Sequence, residues 1–253
     1  MSSDTSKLRS YNSQGEEYRD AFRVFLDHTD QKTNALAWLD RTVKQLPERG
    51  TLIDAGAGNG ALCARLSPHF TRTIAIEPNR SLAEDFKTAC PKTELLTRGI
   101  LDALPDALAD FIICSHVFYY IPRGAWTDYL RRMVGWLQPR GELAVTIQNA
   151  DSDCMRMFRA FTGARYDLAE LSERFLVGEG GKYQAVIETV PAEIITNDME
   201  TALTIAEFML NLTSLPNPPL RTTVESYIVR EFLQPNGSYR MSCDQDFLRV
   251  RRA

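Results

Sequence analysis

Apolar residues recur along this chain with two different periods. Between residues 18 and 46 they return every three or four positions. Phe22, Phe25 and Leu26 come first, then Leu36, Leu39, Val43 and Leu46, which predicts two helices, the second ended by Pro47 and Gly50. From 51 to 148 short apolar runs alternate with helical stretches. Strands are expected at 51–54, 73–77, 94–97, 110–114 and 142–148. Helices are expected from just after Gly60 to Phe70, over 80–89 and over 126–137, with a turn at 139–141. The run at 110–114 is nearly all apolar between polar neighbours, the mark of a strand buried on both faces. Strands separated by helices need crossover connections, and so a mainly parallel sheet.

The last hundred residues read differently. A helical stretch over 154–176 is interrupted at Gly163, and 183–195 is β-rich. Helices at 201–212 and 220–233 flank a stiff turn made by Pro216, Pro218 and Pro219. A turn at 235–238 leads into a final strand at 239–250. Residues 1–13 are polar with few anchors and read as mobile. Neither an internal repeat nor a clean linker divides the chain.

Composition narrows the function classes. With 29 Lys and Arg against 33 Asp and Glu, the formal net charge is −4, the opposite of the basic face a nucleic-acid binder needs. Arg249, Arg251 and Arg252 form too short a basic group to change that. Five cysteines, Cys63, Cys90, Cys114, Cys154 and Cys243, are widely spaced with no C-x-x-C pair. They read as reduced thiols of a cytoplasmic protein rather than a disulfide frame or a zinc site. His28, His69 and His116 do not pair at metal-ligand spacing, so no metal is expected. No apolar run has the length of a membrane span or a signal core. A monomer with a small-molecule partner, and with no nucleic acid or membrane, is the expectation.

The most informative segment is Leu52-Ile-Asp54-Ala-Gly56-Ala-Gly58-Asn-Gly60. A strand runs directly into three alternate glycines and then a helix. Such a turn sits at the carboxyl end of a first strand, where open α/β sheets bind ligands, and lets a ligand approach the backbone closely. The letters also fit a relaxed dinucleotide fingerprint, Gly56-x-Gly58-x-x-Ala61. Either reading asks for an acid at the end of the second strand to take both ribose hydroxyls, and Glu77 is there. The acid Asp54 before the glycines and the Asp-x-Gly-x-Gly-x-Gly alternation match the first motif of class I S-adenosylmethionine-dependent methyltransferases. Leu137-Gln-Pro-Arg-Gly141-Glu resembles the turn before that family's fifth strand. A Tyr-x-x-x-Lys pair, which would favour hydride transfer, is not found.

A closer resemblance is to the histamine N-methyltransferase family, whose members methylate an imidazole ring nitrogen. It is carried by Tyr18-Arg-Asp-Ala-Phe22-Arg-Val-Phe25-Leu26-Asp-His28-Thr29, by Glu77-Pro78 and by Tyr119-Tyr120. The resemblance implies a Rossmann-like, doubly wound α/β fold with a seven-stranded, mostly parallel sheet whose last strand is antiparallel. It implies a single methyltransferase domain over 1–253: an N-terminal helical lid at 1–50, a cofactor-binding core at 51–150, and substrate-side helices and last strands at 151–253. S-adenosylmethionine would be held by Asp54, Gly56, Gly58, Glu77, Pro78, Ile100, Asp102 and Ser115. Acceptor contacts would come from Tyr18, Phe22, His28, Gln31, His116, Tyr119, Tyr120 and Cys243. The family's substrate-contacting glutamate, glutamine and asparagine fall here on Gln31, His116 and near Cys243. Scaffold and methyl donor therefore carry over, whereas histamine does not.

Several of these residues have plainer readings. Asp102 fits a helix N-cap as well as an adenine contact. Aromatic residues such as Tyr18, Phe22, Tyr119 and Tyr120 commonly pack in a core. His116, closing the fourth strand, is the candidate catalytic residue, since an unperturbed imidazole titrates near neutrality.

Overall fold

The computed structural model describes residues 6–11, 15–213 and 215–253. Its elements are, in chain order, α1 Glu16–Asp27, α2 Gln31–Gln45, β1 Thr51–Ala55, α3 Ala61–Leu66, β2 Arg72–Ile76, α4 Ala83–Ala89, β3 Glu94–Leu96, β4 Ala109–Ser115, α5 Trp126–Val134, β5 Leu137–Gln148, α6 Asp153–Thr162, α7 Leu168–Glu179, β6 Tyr183–Val190, β7 Glu193–Thr196, α8 Met199–Leu210, α9 Arg221–Phe232, β8 Tyr239–Ser242 and β9 Gln245–Arg252. Two compact units divide the chain. A sheet unit comprises Trp38–Ile147, Asp167–Glu188 and Asp246–Ala253; a helical unit comprises Met1–Ala37, Gln148–Tyr166 and Thr189–Gln245.

The sheet unit is built on a seven-stranded sheet of order β3-β2-β1-β4-β5-β9-β6. The pairings from β3 through β5 are parallel. The chain leaves β1 toward β2 on one side and returns to β4 on the other. That reversal opens a crevice at the carboxyl ends of β1 and β4. β9 is antiparallel: Arg249 and Arg251 near its end pair with Glu142 in the first half of β5. At its other end, the Asn149 N–H just after β5 donates to the Asp244 carbonyl just before β9. The expected sheet, with its antiparallel last strand, is the one observed. Leu52, Ile53, Ile112, Ile113, Leu143 and Val145 are wholly buried, because helices cover both faces of a parallel sheet.

Glu142 is 1% exposed and accepts from both Arg249 and Arg251, while Arg249 also reaches Glu188 at 2.5 Å. Trp38 stacks on Phe247 at 4.0 Å between centroids and donates its indole N–H to Glu188 at 3.0 Å. Arg249 and Arg251 thus neutralise the buried Glu142, with Arg249 also pairing the more exposed Glu188, which gives the short basic group a partner inside the fold.

The helical unit packs α8 against α1, α6 and α9. Two of its helices, α6 and α8, start where the sequence supplies caps: the Ser152 hydroxyl accepts from the Met155 N–H, and Asp198 accepts from the Thr201 N–H. β7 and β8 form a separate antiparallel pair. Here the structure corrects the expectation of two long late strands. Pro191, which has no N–H to donate, separates β6 from β7. Cys243 and Asp244 separate β8 from β9, and the Asp244 carboxylate accepts from the Ala192 N–H at 2.9 Å. The residues expected to form these strands are therefore divided between two sheets.

The stretch 1–13 expected to be mobile lies outside the described residues at 1–5 and 12–13. Residues 6–11 are tied down. Leu8 is buried and its N–H donates to the Pro219 carbonyl. Buried Glu207 accepts from Arg9 and from the Tyr11 hydroxyl. A carboxylate that deep needs compensation, and this segment supplies it.

Among the described residues no helix is long and apolar enough to cross a membrane, and no cluster of His, Cys, Asp and Glu could hold a metal. Replacing Glu142 with Ala is expected to destabilise the protein by about 2 kcal/mol in urea unfolding, because it leaves Arg249, only partly exposed, facing one fewer carboxylate.

Candidate active site

The turn after β1 is fastened to β2. The N–H groups of Gly56 and Ala57 both donate to the Ile76 carbonyl, at 2.8 and 3.1 Å. Gly56 has φ +89°, and a Cβ there would lie 2.2 Å from Val117 Cγ2. A side chain is excluded both by conformation and by Val117, two residues beyond β4. Gly58 is also left-handed, at φ +56°, but its missing Cβ would meet nothing within 4 Å. The first glycine makes room for protein; the second leaves open space above the backbone.

Glu77 follows β2 and is 8% exposed. One carboxylate oxygen accepts from the Gly58 N–H at 2.9 Å and the other from the Asn79 N–H at 2.8 Å. Each oxygen has two lone pairs, so one on each stays available to an outside donor pair such as a ribose diol. Pro78 is exposed beside it.

Asp54 is 1% exposed, and its Oδ2 has no hydrogen-bond partner among the described residues. Burial, and secondarily the Glu77 charge, push this carboxyl up to about 7. Register places it level with Ala75 and Ile113. Ile113 and Ser115 lie two apart on β4, and Ser115 is level with Thr146 on β5. Asp54, Ser115 and Thr146 therefore share one face at the carboxyl end of the sheet. Thr146 is 2% exposed and its hydroxyl is likewise unpartnered among the described residues. It escaped the sequence reading; the signal was a threonine inside the apolar run of residues 143–147.

His116 is the one non-glycine residue with positive φ among those described, at +57°. Its N–H donates to the Thr146 carbonyl at 2.8 Å, so the chain turns sharply off β4 while still pinned to β5. Its ring stacks on buried Tyr119, with centroids 5.9 Å apart, whereas Tyr120 is 61% exposed. Burial pushes the imidazole down to about 4, correcting the expectation of a histidine titrating near neutrality. Ile100 is buried and Asp102 exposed. Asp102 lies in a turn closed on the Gly99 carbonyl with no helix before β4, which removes the N-cap alternative.

The remaining residues named for the acceptor belong to the helical unit. Tyr18, Phe22 and Phe25 surround the Phe208 ring at 5.2–5.4 Å. The His28 ring contacts the Val24 carbonyl at 2.8 Å. Gln31 and Cys243 are brought together, the buried Gln31 amide donating to the Cys243 carbonyl at 2.6 Å.

The sheet order and its covering helices define a class, the Rossmann-like α/β proteins. A family model described as a methyltransferase domain matches residues 26–176, and the chain belongs to that family. No curated protein matches it in sequence. Among solved structures, a candidate methyltransferase of Bacillus halodurans superposes with a TM-score of 0.61 at 11% identity, covering 85% of this chain and 97% of that one. The N-methyltransferase NodS of Bradyrhizobium japonicum, crystallised with S-adenosyl-L-homocysteine, gives 0.55 at 16% identity over 94% and 99%. The YcgJ protein of Bacillus subtilis gives 0.57 at 13% identity over 85% and 98%. At such identities the likeness is one of fold.

Gly56→Ala is expected to lower the melting temperature by several degrees, because the new methyl must displace Val117 and occupy a left-handed conformation. Asp54→Asn is expected to stabilise the ligand-free protein with a defined pH dependence. A carboxyl whose folded value lies above its unfolded one contributes stability at low pH and loses it as pH rises. The advantage of Asn in thermal melts should grow from about pH 4 and level off above about pH 7.

Proposed function

We propose that the protein transfers a methyl group from S-adenosylmethionine to a small-molecule nitrogen acceptor. The observation that carries the cofactor reading is the Glu77 carboxylate, buried, oriented by two backbone N–H groups and keeping one acceptor site per oxygen. The methyltransferase-domain match favours the methyl donor over a dinucleotide. The residues fit that cofactor: Glu77 would take the ribose hydroxyls, open Gly58 would admit its amino acid part against the backbone, and the unpartnered Asp54 Oδ2 would face its ammonium. Ile100 and Asp102 on the loop after β3 would flank the adenine, with Pro78 and Ser115 bordering the same crevice.

When bound, the cofactor supplies an electrophilic methyl carbon. What the chain contributes is alignment and exclusion of water, which account for most of the acceleration of an in-line displacement. His116 is neutral at physiological pH, and Tyr119 stacks against it. So weak a base is poorly suited to ionising a phenol, and an uncharged ring does not attract a carboxylate. It suits an amine or imidazole-like heterocycle that arrives neutral, positioned by a hydrogen bond. The resemblance to imidazole N-methyltransferases supports the same choice. Exposed Tyr120 offers an aromatic wall for such an acceptor.

Calorimetric titration with S-adenosylhomocysteine and, in parallel, NADH tests the reading. Binding of the adenosyl ligand alone, weakened at least tenfold by Glu77→Ala, is expected; binding of NADH instead would sink it. With S-adenosylmethionine and a panel of acceptors, turnover of heterocyclic or aliphatic amines is expected in preference to phenols and carboxylates.

A further inference from the structure

Asp54 poses an electrostatic problem that the ligand-free protein solves only in part. Its carboxyl group is almost wholly buried, one oxygen has no partner, and the charge that acts on it is another carboxylate's, that of Glu77. Its charge in turn pushes up the thiols of Cys63 on α3, Cys90 just beyond α4 and Cys114 on β4. Neither Glu77 nor any of these thiols can bring it a positive charge. Two of the thiols, Cys63 and Cys90, lie with Ala57, Ala75 and Phe86 in an apolar cluster beneath the glycine turn. Glu77 differs in that both of its oxygens accept backbone N–H groups, which compensate a charge. Of two neighbouring buried carboxyls, then, one is solvated by protein dipoles and the other is not.

We propose that Asp54 is protonated in the ligand-free protein and gives that proton to solvent as the cofactor's ammonium takes its place. The proposal rests on the methyl-donor reading above and adds a proton to the binding equilibrium. A neutral carboxyl is the cheaper occupant of an apolar site with one unpartnered oxygen beside a second carboxylate. An arriving ammonium reverses the preference, because the ionised form then gains a charge-assisted hydrogen bond and a counter-charge to balance both acids. The O–H bond of Asp54 breaks, its proton goes to the buffer, and the ion pair forms in the same space. Burial alone pushes the carboxyl in the same direction. Cofactor affinity would then fall in acid, although the cofactor keeps its charge there.

The test is calorimetry of the full chain at pH 6 in phosphate, MES and Bis-Tris, whose ionisation enthalpies differ, with titrations repeated from pH 5.5 to 8. S-adenosylhomocysteine carries the ammonium; 5′-methylthioadenosine has the same nucleoside and thioether without it. For S-adenosylhomocysteine we expect release of close to one proton at pH 6 and affinity rising up to tenfold per pH unit, levelling near pH 7. Methylthioadenosine should bind with no proton release and little pH dependence. Asp54→Asn should bind S-adenosylhomocysteine more weakly, without proton release and with a flat pH profile. S-adenosylhomocysteine binding with no proton release, equal release with methylthioadenosine, or release that persists in Asp54→Asn each overturns the proposal. If neither ligand binds the wild type at any pH, the methyl-donor reading itself fails, and the proton-release proposal falls with it. Wild type with the two ligands decides the matter even if the variant does not fold.

Discussion

The Glu77 carboxylate is gripped by two backbone N–H groups from two turns, Gly58 after β1 and Asn79 after β2. Much of the site follows from that clasp. It ties the glycine turn to the neighbouring strand, which the Gly56 and Ala57 bonds to Ile76 reinforce. It fixes where the two remaining acceptor lone pairs point. It also compensates one buried negative charge at the crevice, leaving Asp54 as the uncompensated one. A parallel sheet makes the arrangement possible, since every strand delivers its following turn to the same edge.

Polarity on the crevice side of the sheet is sparse and specific. Asp54, Ser115 and Thr146 share a face, and two of the three carry buried oxygens with no partner among the described residues. Buried polar atoms are ordinarily satisfied, so their concentration at the carboxyl ends of the strands marks a surface shaped for polar ligand groups. His116 adds a strained backbone at the same edge, held by a bond to Thr146. Such strain persists only where surrounding structure enforces it, and it is typical of functional turns.

Much of this was legible in one dimension. The Asp54–Gly60 motif and Glu77 stood out as a glycine turn and an acid at a set distance along the chain, and the structure joins them through the Gly58 N–H. The alternation of strands and helices from 51 to 148 announced the parallel sheet, because hydrophobic periodicity is a local property. Other features needed contacts between residues far apart in the chain. The terminal arginines became partners of Glu142 only when β9 inserted beside β5. Residues 6–11 became anchored only when Glu207 was buried opposite them.

By itself, then, the sequence determined the fold class, the glycine turn after β1 and the acid after β2, all of which depend on short-range spacing and residue type. Tertiary structure alone decided that 183–195 and 239–250 divide between two sheets, that Asp54 is unpartnered beside a partnered Glu77, and that His116 is held neutral rather than poised near pH 7. The physical reason is common to all three. Pairing, burial and the shift of a proton equilibrium depend on what surrounds a residue in space, and those surroundings are assembled from segments distant along the chain.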